Sequence, residues 1–199
     1  MKWARNVCIV CAIIMFGILP TFLVINSRSF REYRAEEPIF DSVRTGDTND
    51  LLRILTAGTD PNVLNPFHNT PLHVAAQAGD AGSIRLLIEW GAKIDAAGGK
   101  DGSSPLGVSA SLGHIAACAE LITLGASVNY RDNFGLTPLM YAAANGHLDV
   151  VRLLVAKGAS TNVRSDSRAN DRTARDYALQ RGHMNIVRHL DAAVATKRQ

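Results

Sequence analysis

Apolar positions follow two regimes along the chain. From Val7 to Ile25 they run for 19 residues without a charge, reading VCIVCAIIMFGILPTFLVI. Beyond residue 37 they gather instead into short clusters separated by polar, glycine-bearing stretches. In one such stretch Leu72, Ala75 and Ala76 fall on one face of a short helix, and the small alanines let a second helix approach closely. Thr70 is placed to cap that helix with its hydroxyl, and Pro71 suits its first turn, where the missing N–H is not needed. Gly79 then suits the left-handed residue that stops it. The run Ile84-Arg85-Leu86-Leu87-Ile88 predicts a longer amphipathic helix, ended in the same way by Gly91.

This helix, turn, helix, loop unit repeats. A Thr/Ser-Pro-Leu tripeptide opens at Thr70, Ser104 and Thr137. Gly46, Gly79, Gly113, Gly146 and Gly182 each begin a Gly-Asp or Gly-His pair, and they stand 33, 34, 33 and 36 residues apart. A third marker, glycine after a Leu/Ile-rich run, falls at Gly58, Gly91, Gly125 and Gly158. A fixed period of this size is the mark of a stacked repeat architecture.

The pattern resembles the ankyrin repeat, whose Thr-Pro-Leu-His-x-Ala signature stands here as Thr70-Pro71-Leu72-His73-Val74-Ala75. Asp132 to Leu139, Gly146 to Val151 and Gly158-Ala159 carry the same likeness in the fourth unit. The resemblance implies an all-α ankyrin-repeat solenoid of about five helix-turn-helix units, preceded by one N-terminal hydrophobic helix. The expected boundaries are 1–34 for the N-terminal segment and linker and 35–199 for the repeats, with units near 35–66, 67–100, 101–133, 134–169 and 170–199. The first unit, with Asp41 and Arg44 on its open side, and the last, with His189 and Asp191 among its final apolar positions, read as caps. The third departs most within the stack: Gly107 replaces the motif histidine, Ser109 an alanine, and Glu120 enters the Leu-rich helix, which makes this unit the expected soft point.

As a helix the 7–25 run spans roughly 28 Å, close to the hydrocarbon thickness of a bilayer. Lys2 and Arg5 precede it, Arg28, Arg31 and Arg34 follow it, and Trp3 suits the interface. The expectation is an uncleaved single-pass anchor with the repeats on the non-cytoplasmic, periplasmic side. The alternative is an exported soluble protein with a cleaved signal peptide, in an immunity or effector role. The single anchor and short tail resemble bacterial envelope proteins that neutralise a toxin or support a neighbouring enzyme.

Charge separates along the chain. Residues 35–163 hold 8 basic and 13 acidic side chains, whereas 164–199 hold 8 basic and 4 acidic. Acids interleave with the terminal arginines and stacking aromatics are lacking beyond Tyr177, so nucleic acid is not an expected partner. Cys8 and Cys11 lie in the apolar run, and Cys118 aligns with Val151 on a buried helix face, which leaves no disulfide framework or zinc spacing. His73, His114, His147 and His183, one to a unit, stand where the repeat places a hydrogen-bonding histidine. His68 and His189 lack neighbours at ligand spacing, and Gly98-Gly99-Lys100 lacks the strand and spacing of a phosphate loop. No catalysis, cofactor, metal or small-molecule substrate is therefore expected.

The remaining candidate is surface. Side chains just after the motif histidine face one concave side, and here they are Val74, Val108, Tyr141 and Tyr177. Loop tips between units add Phe67, His68, Lys100, Tyr130, Asp132, Asn133, Phe134 and Arg168, and Ser165 to Arg172 should form an enlarged finger. The predicted partner-binding set is Val74, Val108, Tyr141, Tyr177, Phe67, Tyr130, Asp132 and Phe134, the partner being another protein.

Overall fold

The structure is a computed structural model that describes residues 38–166 and 171–196. The chain divides into two units, Met1–Pro38 and Ile39–Gln199. The apolar run 7–25, with the anchor expected there, lies outside the described residues, as does the tip of the finger with Arg168. Among the described residues no helix is long and apolar enough to cross a membrane.

Ten helices are present among the described residues, in five pairs: α1 through 38–45 and α2 Thr48–Thr56; α3 Pro71–Ala78 and α4 Ala81–Glu89; α5 Pro105–Leu112 and α6 Ile115–Thr123; α7 Pro138–Ala144 and α8 Leu148–Ala156; α9 Ala174–Gln180 and α10 Met184–Thr196. The only pairing of extended backbone there is one isolated bridge, Gly98 to Ser103. The expected all-α repeat architecture is the one observed.

The starts and stops follow from local chemistry. Thr70, Ser104, Thr137 and Thr173 each accept a bond from the backbone N–H three residues on, which satisfies a donor that has no partner inside the helix. Gly113 ends α5 at φ 78°, a left-handed conformation costly for other residues, and a Cβ there would lie 2.5 Å from the His147 ring of the following unit. The same stacking puts His183 over Gly146. These glycines therefore serve both the turn and the close approach of the next repeat.

Helices pack in two layers, α3, α5, α7 and α9 in one, and α2, α4, α6, α8 and α10 in the other. Buried columns run through the stack: Leu72, Leu106 and Leu139 in the first layer, and Ile54, Leu87, Leu121, Leu154 and Leu190 in the second. Burying one such side chain fully contributes about 1.5–3 kcal/mol. The first-layer column ends at Arg175, where a leucine would have no further unit to cover it; its guanidinium pairs instead with Asp191 at 2.6 Å. At the opposite end Asp41 and Arg44 are exposed and paired with each other. The leucine position is filled by buried Ile39 in the first unit and by the ion-paired Arg175 in the last.

Polar side chains buckle successive units together. Asn62 accepts from Lys93 N at 2.8 Å, Asp95 accepts from Ser127 N at 3.1 Å, and Asn129 accepts from Ser160 N at 2.8 Å. The histidines divide into two kinds rather than one recurring position. His73 sits in α3 and donates through Nε2 to the Ser103 carbonyl ahead of it, whereas His114 and His147 sit in inter-helix turns and donate back to the Gln77 and Ser111 carbonyls. In the second unit Asp80 occupies that turn and caps α4, accepting from Gly82 N and Ser83 N.

Candidate protein-binding groove

The first-layer helices and the loops before them share one side of the stack. Along it, the residue four places after each N-cap forms a row: Val74, Val108, Tyr141 and Tyr177. The row is not uniformly open. Val74 is only 8% exposed and belongs to the core, because it packs within the apolar cluster rather than standing above it. Val108 is half-buried against the same cluster. Tyr141 and Tyr177 are half-buried, each with one ring face in a groove and its hydroxyl engaged.

Tyr141 Oη donates to Asp132 Oδ2 at 2.5 Å and lies 3.0 Å from Ser103 Oγ, which itself donates to Asp101 Oδ2 at 2.7 Å. Burial, and then the bond to Asp132, hold the Tyr141 phenol far above the ordinary range, so it remains a neutral donor. Asp132, which its sequence position places among the partner-binding loop tips, is turned inward instead. Its side is 8% exposed, and its carboxylate accepts from Phe134 N and Leu136 N, both at 2.8 Å, as well as from Tyr141. The carboxylate is consumed in shaping its own loop.

Tyr130 is likewise half-buried, donating its hydroxyl to the Gly102 carbonyl at 3.1 Å; burial raises its pKa. Phe67 and Phe134 occupy equivalent loop tips and are 75% and 46% exposed. The loops carrying them are stitched to the next unit by backbone bonds, from Gly99 N to His68 O and from Asp166 N to Phe134 O. Two aromatic side chains thus stand out on anchored fingers. The last finger is closed at its base by Ser165 N donating to Arg172 O at 2.9 Å.

Between the fourth and fifth pairs lies a cavity of about 390 Å³ lined by Tyr141 and Tyr177 together with Met140, Leu136, Asn145, Ser111, Arg172, Gln180 and Arg181. The Arg172 guanidinium carbon lies 6.0 Å from the Tyr177 ring centre, within cation–π range. The polar members of this lining were missed from the sequence. A signal for them existed: Arg172 stands immediately before an N-cap, and Asn145 and Arg181 immediately before turn glycines, at repeat positions on the same side as the tyrosines.

The groups that carry chemistry elsewhere are absorbed by structure. Cys118 is fully buried with its thiol at 3.3 Å from Ser109 Oγ, and burial raises its pKa, away from thiolate reactivity. Ser109, in turn, returns its hydroxyl to Leu106 O. Glu120 forms a two-pronged ion pair with Arg85 between α6 and α4, at 2.8 and 3.1 Å. No group of three or more His, Cys, Asp or Glu side chains suited to a metal ion occurs among the described residues.

The stacked pairs, their capped starts and their glycine turns have a match in a known family description. Ankyrin repeats, in three copies, match residues 39–132 and 117–195. The chain belongs to the ankyrin-repeat family. An ankyrin-repeat array is a protein–protein interaction module, which is the class of function this fold supplies. Among similar proteins, SH3 and multiple ankyrin repeat domains protein 1 of Homo sapiens is 39% identical over 101 residues, 48% of this chain and 4% of that protein. ARF GTPase-activating protein Git of Drosophila melanogaster is 36% identical over 84 residues, 42% of this chain and 11% of its own length. The human ARF GTPase-activating protein GIT1 is 38% identical over 79 residues, 38% of this chain and 10% of its own. The matched stretch therefore spans only a small fraction of these proteins' own length, and the likeness covers less than half of the chain itself.

Proposed function

We propose that the chain is a non-catalytic binder that holds a partner protein in the groove beside Tyr141 and Tyr177 and against the Phe67 and Phe134 fingers, tethered to a membrane by residues 7–25. The observation that carries the reading is the groove: two half-buried tyrosines with fixed hydroxyls line a cavity in a rigid stack. Rings held in place lose little conformational freedom when covered, which is why aromatic anchors dominate protein interfaces. Such a binder acts by occupancy, sequestering or neutralising its partner. The unbroken apolar run and its basic flanks support an anchor, with the repeats on the non-cytoplasmic side.

A photo-crosslinking amino acid at Phe134 of the full-length chain would capture the partner for measurement. Changing Tyr141 and Tyr177 together to alanine should weaken its binding by about 2–4 kcal/mol while thermal unfolding stays cooperative. Unaltered affinity in a folded double variant sinks the groove assignment. The anchor has its own tests: loss of the first 25 to 30 residues from the purified protein's mass would exclude it, and a reporter after Gln199 active only outside the cytoplasm is the expected topology result.

A further inference from the structure

Ten arginines lie among the described residues, and seven of them stand against a carboxylate. Of the other three, Arg172 and Arg181 both line the cavity beside the tyrosines, and no Asp or Glu lines it with them. Arg172 gives an N–H to the neutral Gln180 Oε1 while lying over the Tyr177 ring. Gln180 and Arg181 line the same groove as Arg172. The groove thus holds two guanidiniums without carboxylate partners among the described residues, beside the partly exposed apolar surfaces of Leu136 and Tyr177. The arrangement contrasts with the adjoining part of the row, where Tyr141 meets Asp132 and Asp101.

Guanidinium is the cation best shaped for carboxylate, offering paired N–H donors in a plane, and it is less strongly hydrated than an ammonium. Arg172 is held in place by its ring and its amide, so less freedom is lost when an anion arrives. We infer that this groove takes an acidic stretch of a partner protein, a side-chain carboxylate lying between Arg172 and Arg181 and a neighbouring apolar side chain lying on the Leu136 and Tyr177 surface. The inference rests on the protein-binding reading and adds the chemistry of the ligand to it. Specificity follows from the absence of any acid in the lining: a basic segment would meet two cations and no counter-charge.

The test uses the full-length chain in detergent micelles, immobilised and panned against a displayed library of random 12-residue peptides. Enriched peptides are then measured by fluorescence anisotropy against the native chain, R172Q/R181Q and Y141A/Y177A. The expected result is an excess of Asp and Glu over Lys and Arg in the enriched set, with at least a tenfold weaker Kd for R172Q/R181Q. Replacing the key Glu of a peptide by Gln should give the same loss on the native chain and little further loss on R172Q/R181Q. That variant breaks no ion pair, so an unchanged thermal melt is expected and identifies the loss as one of binding. Peptides that depend on Tyr141 and Tyr177 but show no acidic excess, or bind R172Q/R181Q equally well, overturn the inference and leave the groove reading standing. An empty selection, or binding indifferent to both variants, overturns the two together. Tighter binding by a phosphoserine peptide, a single-stranded oligonucleotide or phosphatidylserine vesicles, lost in R172Q/R181Q, overturns the acidic-segment inference in favour of that ligand.

Discussion

Repeat position, more than residue type, decides what individual side chains cost or contribute. His68 has φ 60°, in the left-handed region, at the loop position where later units carry Gly102 at 70° and Gly135 at 71°. A non-glycine residue there costs about 1–2 kcal/mol, part of which glycine returns through its freer unfolded chain. His68→Gly should therefore stabilise the fold by about 0.5 kcal/mol in a urea melt; a clear loss of stability would show that the imidazole contributes something its backbone strain conceals. Gly107 presents the reverse case. It lies inside α5 with ordinary helical φ, and a Cβ added to it would meet Ser104 Oγ at 3.6 Å and the Tyr141 ring at 3.8 Å, both normal contact distances. Gly107→Ala should raise stability by about 0.8–1 kcal/mol, read as a higher melting temperature. A lower one would mean that the Tyr141 ring cannot accept even that contact.

Among the elements, the joint between α3 and the loop leading into α5 carries a titrating histidine. His73 Nε2 donates to Ser103 O at 3.0 Å, while Nδ1 accepts from the Thr70 backbone N–H at 3.3 Å and faces the Thr70 hydroxyl at 2.8 Å. Protonation would put a hydrogen on the nitrogen that has to accept. Burial, the largest cause, holds the imidazole pKa below its ordinary 6.5. Between the two values the unfolded chain binds the proton and the folded one does not. The stability from this site is therefore fully present above about pH 6.5 and is lost as pH falls through the folded value. The drop in melting temperature from pH 7 to pH 5 should be smaller in His73→Gln than in the native chain; an equal drop assigns the acid sensitivity to other groups. The third unit, expected to be the soft one, has its exceptional polar side chains engaged: Ser109 returns a bond to Leu106, and Glu120 is paired with Arg85.

At the level of the whole molecule, each interior pair has neighbours on both sides and the terminal pairs have one. Stability in such an array is close to a sum of unit and interface contributions. Amide exchange should accordingly be slowest in α4 to α7 and fastest in α1, α2 and α10, with the Arg175–Asp191 pair adding little because both partners are exposed. Protection greatest at either end would contradict a nearest-neighbour stack. The charge asymmetry belongs to this scale as well. Acidic side chains prevail in residues 35–163 and basic ones in 164–199, so the fifth unit brings two guanidiniums without carboxylate partners among the described residues to a groove whose preceding section holds Asp101 and Asp132. Those carboxylates are engaged by Tyr141 and Ser103, so the charge a partner meets in the groove is that of the fifth unit's arginines, which favours a single direction of docking.

The repeat itself was legible because its determinants are local. Caps such as Thr70, first-turn prolines and turn glycines act within a few residues, and the Leu columns recur at a period that needs no knowledge of contacts. The family, the all-α class and the burial of Cys118 follow from those signals. The site was only partly legible, because exposure depends on what the neighbouring unit supplies. Phe67 and Phe134 stand open as their loop positions suggest, but Val74 sinks into the core, and Asp132 turns inward to two backbone amides and to a tyrosine nine residues on. Arg172 and Arg181 gain their meaning only when α9 is laid against α7, which brings them to the rim of a groove with no acid to answer them. Sequence spacing alone determined which residues start, stop and stack; tertiary packing decided which polar groups are already satisfied, since a hydrogen-bond partner 30 or 40 residues away leaves no local trace.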